Sequence, residues 1–116
     1  MSAYPSTAYK VLTAAELAEL EGGLFTGAPV DLADGFIHLS TAGQLTETVD
    51  RHFPGRADLW VVAVDLDVFA DALRWEPSRG GQMFPHLFGP LPLDAVIAYS
   101  PLERGDGGIV KLPVAG

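Results

Sequence analysis

The segment from residue 59 to residue 64, LWVVAV, constrains the fold of this chain more strongly than any other. All six residues are apolar, so neither face of a strand built from them can lie against water. Such a run is typical of a β-strand that other elements cover on both faces. A chain of 116 residues can build one hydrophobic core around such a strand, and we therefore expect a single domain.

Two helices are predicted beside this strand. Thr13 and Glu16 have the spacing of a capping box, and Gly22 and Gly23 end the helix that follows. A second helix is predicted over residues 42–53. The apolar residues expected on the buried faces are Leu17 and Leu20 in the first helix and Leu45, Val49 and Phe53 in the second.

The remaining elements are short strands joined by turns and loops. Strands are predicted at residues 9–12, 35–40, 73–76 and 95–99, with a final edge strand at residues 109–112. Loops or turns are predicted at residues 24–34, 65–72, 77–81 and 105–108, and the three prolines between residues 83 and 92 exclude a regular helix there.

The order of these elements predicts an α+β fold, with a mixed β-sheet and two main helices in one domain. The domain is expected to span residues 8–112. Residues 1–7 are expected to form a flexible N-terminal tail, and residues 113–116 a C-terminal tail.

The net charge of −8 restricts the partners of this chain. An acidic domain binds nucleic acid and anionic membranes poorly, because phosphate groups need compensating cations. We therefore expect a small-molecule ligand and neither nucleic acid nor a membrane, while the oligomeric state stays open. The chain has no cysteine, no basic and apolar leader segment and no bilayer-spanning apolar run, so a cytoplasmic location is expected.

Residues 35–40, GFIHLS, place two polar side chains on one face of a predicted strand. Because side chains alternate along a strand, Phe36, His38 and Ser40 share one face. Ile37 and Leu39 share the other face and are expected in the core. An imidazole and a hydroxyl beside an aromatic ring are typical of the wall of a site.

The flanking residues predict where this strand begins and ends. Gly35 allows a sharp turn before the strand, because glycine tolerates positive φ. Thr41 and Gln44 have the spacing of a second capping box. We therefore expect His38 and Ser40 at the entrance to the second helix.

Two further segments supply polar groups held by proline. His86 lies in residues 84–90, FPHLFGP, where proline restricts the backbone around the imidazole. Glu76 precedes Pro77, which favours an extended conformation, and Arg74 would share its strand face. Two imidazoles with a carboxylate provide general acid–base capacity near neutral pH.

Three other chemistries fit the sequence less well. A zinc site from His38, His52 and His86 has enough imidazoles, but their spacing matches no metal motif, and His52 is better explained by the carboxyl end of its helix. A phosphoesterase with paired His-x-Ser/Thr motifs is half present, since residues 38–40 fit and residues 86–88 lack the hydroxyl. A serine hydrolase would need a Gly-x-Ser-x-Gly elbow, which is absent around residue 40.

The motifs together resemble one family. They are GFIHLS at residues 35–40 with Gln44, Asp58-Leu59 and Asp65 around the apolar strand, Trp75-Glu76, FPHLFGPL at residues 84–91, and Asp94-Ala95-Val96. In this order, from about residue 9 to residue 102, the chain resembles the DUF952 family of small bacterial proteins, whose function is unknown. Phe88 stands where that family often has tyrosine, so a ligand bond made by the tyrosine hydroxyl would be missing here.

The resemblance implies an ADP-ribosyltransferase-like fold, in which the cleft of a split β-sheet binds NAD. It implies that His38 and Ser40 touch the ribose or nicotinamide part of a nucleotide, by similarity to the strand with which RNA 2′-phosphotransferases hold their ligand. It also implies that Glu76 polarises a ribose hydroxyl. NAD, ADP-ribose or a related nucleotide is therefore the expected ligand, and no metal is expected.

These observations lead to three hypotheses about function. In the first, the protein is a transferase or hydrolase acting on such a nucleotide, with His38, Ser40, Glu76 and His86 as catalytic residues. In the second, the same pocket binds a ligand or partner without turnover. In the third, the histidines bond buried backbone groups and serve folding alone. The residues expected to bind the ligand are Phe36, Gln44, Arg74, Phe84, Phe88 and Gly89.

Overall fold

The computed structural model describes residues 4–114, apart from the side chain of Arg79. Within that part of the chain, short strands and helices are joined by turns and 3-10 helices. The strands are β1 (Thr7–Thr13), β2 (Leu24–Phe25), β3 (Ile37–His38), β4 (Leu59–Asp65), β5 (Leu73–Pro77), β6 (Met83–Leu87), β7 (Leu91–Pro92) and β8 (Val96–Pro101). The helices are α1 (Ala14–Glu21), α2 (Pro29–Asp34) and α3 (Leu45–His52).

Strand β4 lies at the centre of the larger sheet, between β1 and β8, and both neighbours run antiparallel to it. Val61, Val62 and Val64 are fully buried. Val62 and Val64 pack into one apolar cluster, whereas Leu59 and Val61 pack into a second cluster that includes the buried side of α3. The apolar run at residues 59–64 is therefore a strand covered on both faces, as predicted.

A smaller sheet has the strand order β3-β6-β5. Tyr9 and Ser40 attach it to the larger sheet by exchanging two backbone hydrogen bonds, with N–O distances of 2.7 and 2.9 Å. Strands β2 and β7 form a separate pair. The expectation of one mixed sheet is wrong, because the strand pairs within residues 4–114 are antiparallel and belong to three sheets.

Helix α1 begins at the predicted capping box. Thr13 Oγ1 accepts a hydrogen bond from the Glu16 N–H, and Glu16 Oε1 accepts one from the Thr13 N–H. Helix α3 begins at Leu45 rather than at residue 42, because residues 42–44 form a turn. Leu17, Leu20, Leu45 and Val49 are buried as predicted, and Phe53 is partly buried.

Helix α2 and strand β2 lie within residues 24–34, which the sequence pattern assigns to a loop. Pro29 starts the helix, and the Asp31 carboxylate caps it by accepting a backbone N–H bond of 2.9 Å. Helices α1 and α3 are the two main helices expected, whereas the loop expected over residues 24–34 contains a third, shorter helix. The pattern fails because α2 is six residues long and exposes Val30 and Leu32, so it has no apolar stripe facing the core.

The N-terminal segment is part of the fold from residue 4 onward. Strand β1 begins at Thr7, and the Tyr4 ring stacks on Trp75 with centroids 4.3 Å apart and planes 7° apart. Within the predicted tail, Tyr4 therefore contacts Trp75 and Thr7 belongs to β1. The other parts of the predicted tails, residues 1–3 and 115–116, lie outside the described residues.

The shorter predicted elements are confirmed in part. Strands β5, β6 and β8 lie where strands or non-helical structure are expected, and residues 106–108 form a tight turn. The expected edge strand at residues 109–112 is reduced to one bridge between Arg104 and Val110. Within residues 4–114, the longest helices have eight residues, and none is long and apolar enough to cross a bilayer.

Candidate functional site

One face of the smaller sheet carries the polar residues of the two family motifs. His38 in β3 lies directly opposite His86 in β6, and His86 lies opposite Arg74 in β5. Ile37 and Leu39 are each 2% exposed and belong to the core, as the alternation predicts. The sheet order therefore brings two histidines and an arginine from distant segments into one row.

His38 is held between two carboxylates. Its Nδ1 lies 2.7 Å from Oδ1 of Asp31, and its Nε2 lies 3.0 Å from Oδ2 of Asp34. Carboxylate oxygens only accept hydrogen bonds, so both contacts are satisfied when both ring nitrogens carry a proton. Because Asp34 is itself 47% exposed, a ligand can replace it at Nε2.

Asp31 anchors His38, although it lies in a segment predicted to be a loop. It is 2% exposed and accepts hydrogen bonds from Lys10, from the Ala28 N–H and from both the backbone and the ring of His38. Burial raises the pKa of Asp31, but the hydrogen bond from His38 and the charge of Lys10 outweigh burial and bring the pKa to about 2. A proline at the helix start followed by an acidic residue in the first turn is the sequence signal that could have identified it.

His86 forms a second carboxylate–imidazole pair. Its Nδ1 lies 2.8 Å from Oε1 of Glu76, whose side chain is 39% exposed. The carboxylate requires a proton on Nδ1, so Nε2 of the neutral ring is an acceptor. His86 is 4% exposed, and its Nε2 has no hydrogen-bond partner within residues 4–114. Nδ1 is therefore bonded to Glu76, whereas Nε2 makes no hydrogen bond within the described residues.

Phe36 joins the two imidazoles. Its ring centroid lies 4.5 Å from that of His38 and 4.1 Å from that of His86. The two imidazole centroids are 5.6 Å apart. The ring centroid of Phe88 lies 5.1 Å from that of Phe36, and the Arg74 guanidinium lies 5.1 Å from the Phe88 centroid, within cation–π range.

The polar groups of Ser40 and Gln44 are also bonded within the protein. Ser40 is 4% exposed, and its Oγ lies 2.9 Å from Oγ1 of Thr48. The Gln44 side chain accepts a hydrogen bond from the Thr41 N–H and donates one of 2.9 Å to the carbonyl oxygen of Met83. Gln44 therefore ties the start of α3 to the start of β6.

Two concave surfaces lie near the site, one lined by the imidazoles and one lined by Phe36. A groove of about 670 Å³ is lined by His38, Ser40, Phe84 and His86 and extends to His52, so all three histidines line it. A smaller cavity of about 340 Å³ is lined mainly by apolar residues. Its walls include Leu24, Leu32, Phe36, Leu87 and Gly89.

Metal binding has no geometric support at this groove. Among the described residues, no three histidine, aspartate or glutamate side chains converge closely enough to hold a metal ion. His52 lines the same groove as His38 and His86, yet the three imidazoles do not form a common coordination site. The groove is therefore not the zinc site that three histidines could have formed.

The geometry supports proton transfer between a ligand and two oriented imidazoles. A carboxylate that holds Nδ1 fixes the ring and directs its acid–base chemistry to Nε2. His38 offers a donor at Nε2, and His86 offers an acceptor at the corresponding atom. The two imidazoles therefore lie on neighbouring strands, with Nε2 of His38 facing Asp34 and Nε2 of His86 buried.

A family model described as a protein of unknown function, DUF952, matches residues 11–99. The chain is also similar to protein CC0527 from Caulobacter crescentus, a structural genomics target. The sequence in the X-ray crystal structure of that protein is 42% identical to this chain, and the two structures have a TM-score of 0.82. The match covers 90% of this chain and 93% of the other. Its solution NMR structure has 42% identity and a TM-score of 0.77, over 90% and 91% of the two chains. No curated protein is detectably similar.

Proposed function

The chain belongs to the DUF952 family, whose function is unknown, and we propose a function from the geometry of the site. In this proposal the protein is a small enzyme that acts on a nucleotide by general acid–base catalysis. NAD, ADP-ribose or a related nucleotide is the proposed substrate, and transfer or hydrolysis at a ribosyl group is the proposed reaction. The ligand class follows the resemblance to ADP-ribosyltransferase-like proteins, which is part of the proposal. A cytoplasmic location is proposed with it, in line with the absence of cysteine.

One observation carries the proposal: two carboxylate–imidazole pairs lie side by side, with ring centroids 5.6 Å apart. General acid–base catalysis needs a donor and an acceptor within reach of one ligand. In this proposal the oxygen of a water or ribose hydroxyl bonds to the ribosyl C1′ as the bond from C1′ to nicotinamide breaks, and nicotinamide leaves as a neutral molecule. His86 Nε2 accepts the proton of the attacking oxygen, and His38 Nε2 donates a hydrogen bond to the ligand. Asp31 and Glu76 keep the two rings in position.

The surrounding residues support a ligand that carries both a ring and an anionic group. Phe36 and Phe88 expose part of their rings beside the imidazoles. Arg74 is exposed, and its guanidinium lies over Phe88 rather than against Glu76, so it can meet a phosphate. Ser40 contributes to the groove wall in this proposal, since its hydroxyl is already bonded to Thr48.

The proposal is tested by binding and turnover together. NAD and ADP-ribose are added in a thermal-unfolding assay, because a ligand that binds the folded state raises the midpoint temperature. Release of nicotinamide or ribose products is then followed by NMR. Glu76→Gln keeps the shape of the side chain and should reduce turnover about 100-fold or more. Glu19→Gln, an exposed carboxylate on α1, is the matched control and should retain full turnover.

Two results would reject the enzyme proposal. One is that neither nucleotide raises the midpoint temperature. The other is that Glu76→Gln turns over as fast as the unmodified protein.

The second candidate function is a binding module without turnover. It is favoured by the degree to which the polar atoms are already paired, since His38 has carboxylates at both nitrogens and the Ser40 hydroxyl faces Thr48. This function predicts a raised midpoint temperature with no product under any condition. The turnover assay described above separates the two candidates.

A further inference from the structure

The apolar cavity of about 340 Å³ has Phe36 in its lining and neither His38 nor His86. Phe36 lines this cavity and stacks on His86, so a group placed in the cavity is one ring away from the proposed reacting atoms. The volume is near the lower end of small-molecule sites, which span about 300–1,000 Å³. The cavity is therefore suited to one part of a ligand rather than to a whole nucleotide.

The cavity has no charge available for a ligand. Asp31 is the one charged residue in its lining, and its carboxylate is neutralised by Lys10 and bonded to His38. An ionic group placed there would lose its hydration without gaining a partner, which is unfavourable. An uncharged group could cover the apolar walls without this loss of hydration free energy.

Two leucines of the cavity lining are exposed to solvent. Leu32 is 64% exposed and Leu24 is 47% exposed, and both line the cavity. A flat ring bound between them would remove apolar surface from water and extend the row formed by Phe36 and His86.

We infer that this cavity binds an uncharged aromatic ring of the ligand, held between Leu24, Leu32 and Phe36. The inference deepens the proposed function, on which it rests for the identity of the complete ligand. The ring would dock in the cavity while the rest of the ligand reaches the imidazoles. Leu24 and Leu32 would then determine which ring is accepted.

Indole is the probe for this test, because it is an uncharged ring without phosphate or ribose. Its binding is followed by NMR shifts of the backbone amides. Gly89→Leu fills the cavity: a Cβ at Gly89 meets no atom within 4 Å, and its φ is not in the left-handed region. Gly43→Leu is the matched control, because Gly43 has the same freedom but lies in the turn before α3.

The expected result is a set of shifts centred on Leu24, Leu32, Phe36 and Gly89. Gly89→Leu should weaken indole binding at least tenfold, and Gly43→Leu should change it less than twofold. Leu32→Asn, an exposed position that cannot disturb the core, should weaken binding several-fold, whereas Val68→Asn at another exposed site should not.

Three results would overturn the inference: no shifts with indole, shifts centred on the groove at His52, or unchanged binding by Gly89→Leu. These outcomes are separate from those of the nucleotide assay. Indole binding without NAD turnover would support the inference about the cavity and reject the enzyme proposal. Turnover of NAD without indole binding would support the enzyme proposal and reject the inference about the cavity.

Discussion

Lys10 and Asp31 form an ion pair that is almost closed to solvent, with side chains 8% and 1% exposed and 2.9 Å between Nζ and Oδ2. The pair joins β1 to α2. The same carboxylate accepts a hydrogen bond of 2.7 Å from His38 Nδ1. One buried charge therefore supports both the fold and the geometry of the candidate site.

Replacing Asp31 should destabilise the protein strongly. Asp31→Asn removes the charge and leaves the Lys10 ammonium buried without a counter-ion, and breaking a buried pair in this way costs about 3 kcal/mol or more. The measurement is the free energy of unfolding from urea denaturation. Asp34→Asn is the control, because that exposed carboxylate should change stability by less than about 1 kcal/mol. Equal effects of the two substitutions would contradict the assigned role of Asp31.

Stability should also fall in acid because of Asp31. Its folded-state pKa of about 2 lies below the ordinary value of 3.8, so the ionised form is the one that stabilises the fold. The contribution is present above about pH 4 and is lost as the pH falls toward 2. The difference between the two pKa values corresponds to about 2 kcal/mol. Urea denaturation between pH 2 and pH 6 should show this loss in the unmodified protein, and a smaller one in Asp31→Asn.

Replacing each of the two histidines by phenylalanine should change the stability of the protein by different amounts. His86→Phe keeps a ring against Phe36 and loses the bond from Nδ1 to the partly exposed Glu76, but it also removes a buried nitrogen that has no partner in residues 4–114. Stability should therefore change by only about 1 kcal/mol. His38→Phe leaves Asp31 short of one donor and should cost about 2 kcal/mol. Urea denaturation provides both values. A large loss in His86→Phe would favour a purely structural role for His86.

The stack of Tyr4 on Trp75 should contribute measurable stability. Tyr4→Ala removes a parallel ring contact at 4.3 Å and should cost about 1 kcal/mol, whereas Tyr4→Phe keeps the ring and should retain most of it. Thermal unfolding of the two variants tests this. Equal midpoints for Tyr4→Ala and the unmodified protein would show that the N-terminal segment does not contribute.

Local patterns in the sequence predicted the elements whose signals are complete within a few residues. Thr13 and Glu16 form the expected capping box, and the apolar run at residues 59–64 is the doubly covered strand. Helix α2 was not predictable from hydrophobic periodicity, since Val30 and Leu32 face solvent. The arrangement in three sheets could not be predicted either, because a strand of two residues is too short to show an alternation of apolar and polar side chains.

The candidate site divides in the same way. Alternation in residues 35–40 indicated that Phe36 and His38 share a face, and the structure places both beside His86. The carboxylates at His38 were not identified, because Asp31 and Asp34 belong to the helix mistaken for a loop. Arg74 was expected on the strand face of Glu76, and its guanidinium lies 5.1 Å from the centroid of the Phe88 ring.

The central strand and the first helix could be predicted from the sequence alone, as could the strand face that His38 shares with Phe36. These features depend on apolar periodicity and on contacts between residues three or four positions apart. Only the tertiary structure decided which carboxylate meets which imidazole. Lys10 and Asp31 are 21 residues apart, and His38 meets His86 through strand order and register. Such contacts depend on how whole elements pack, which local patterns do not encode.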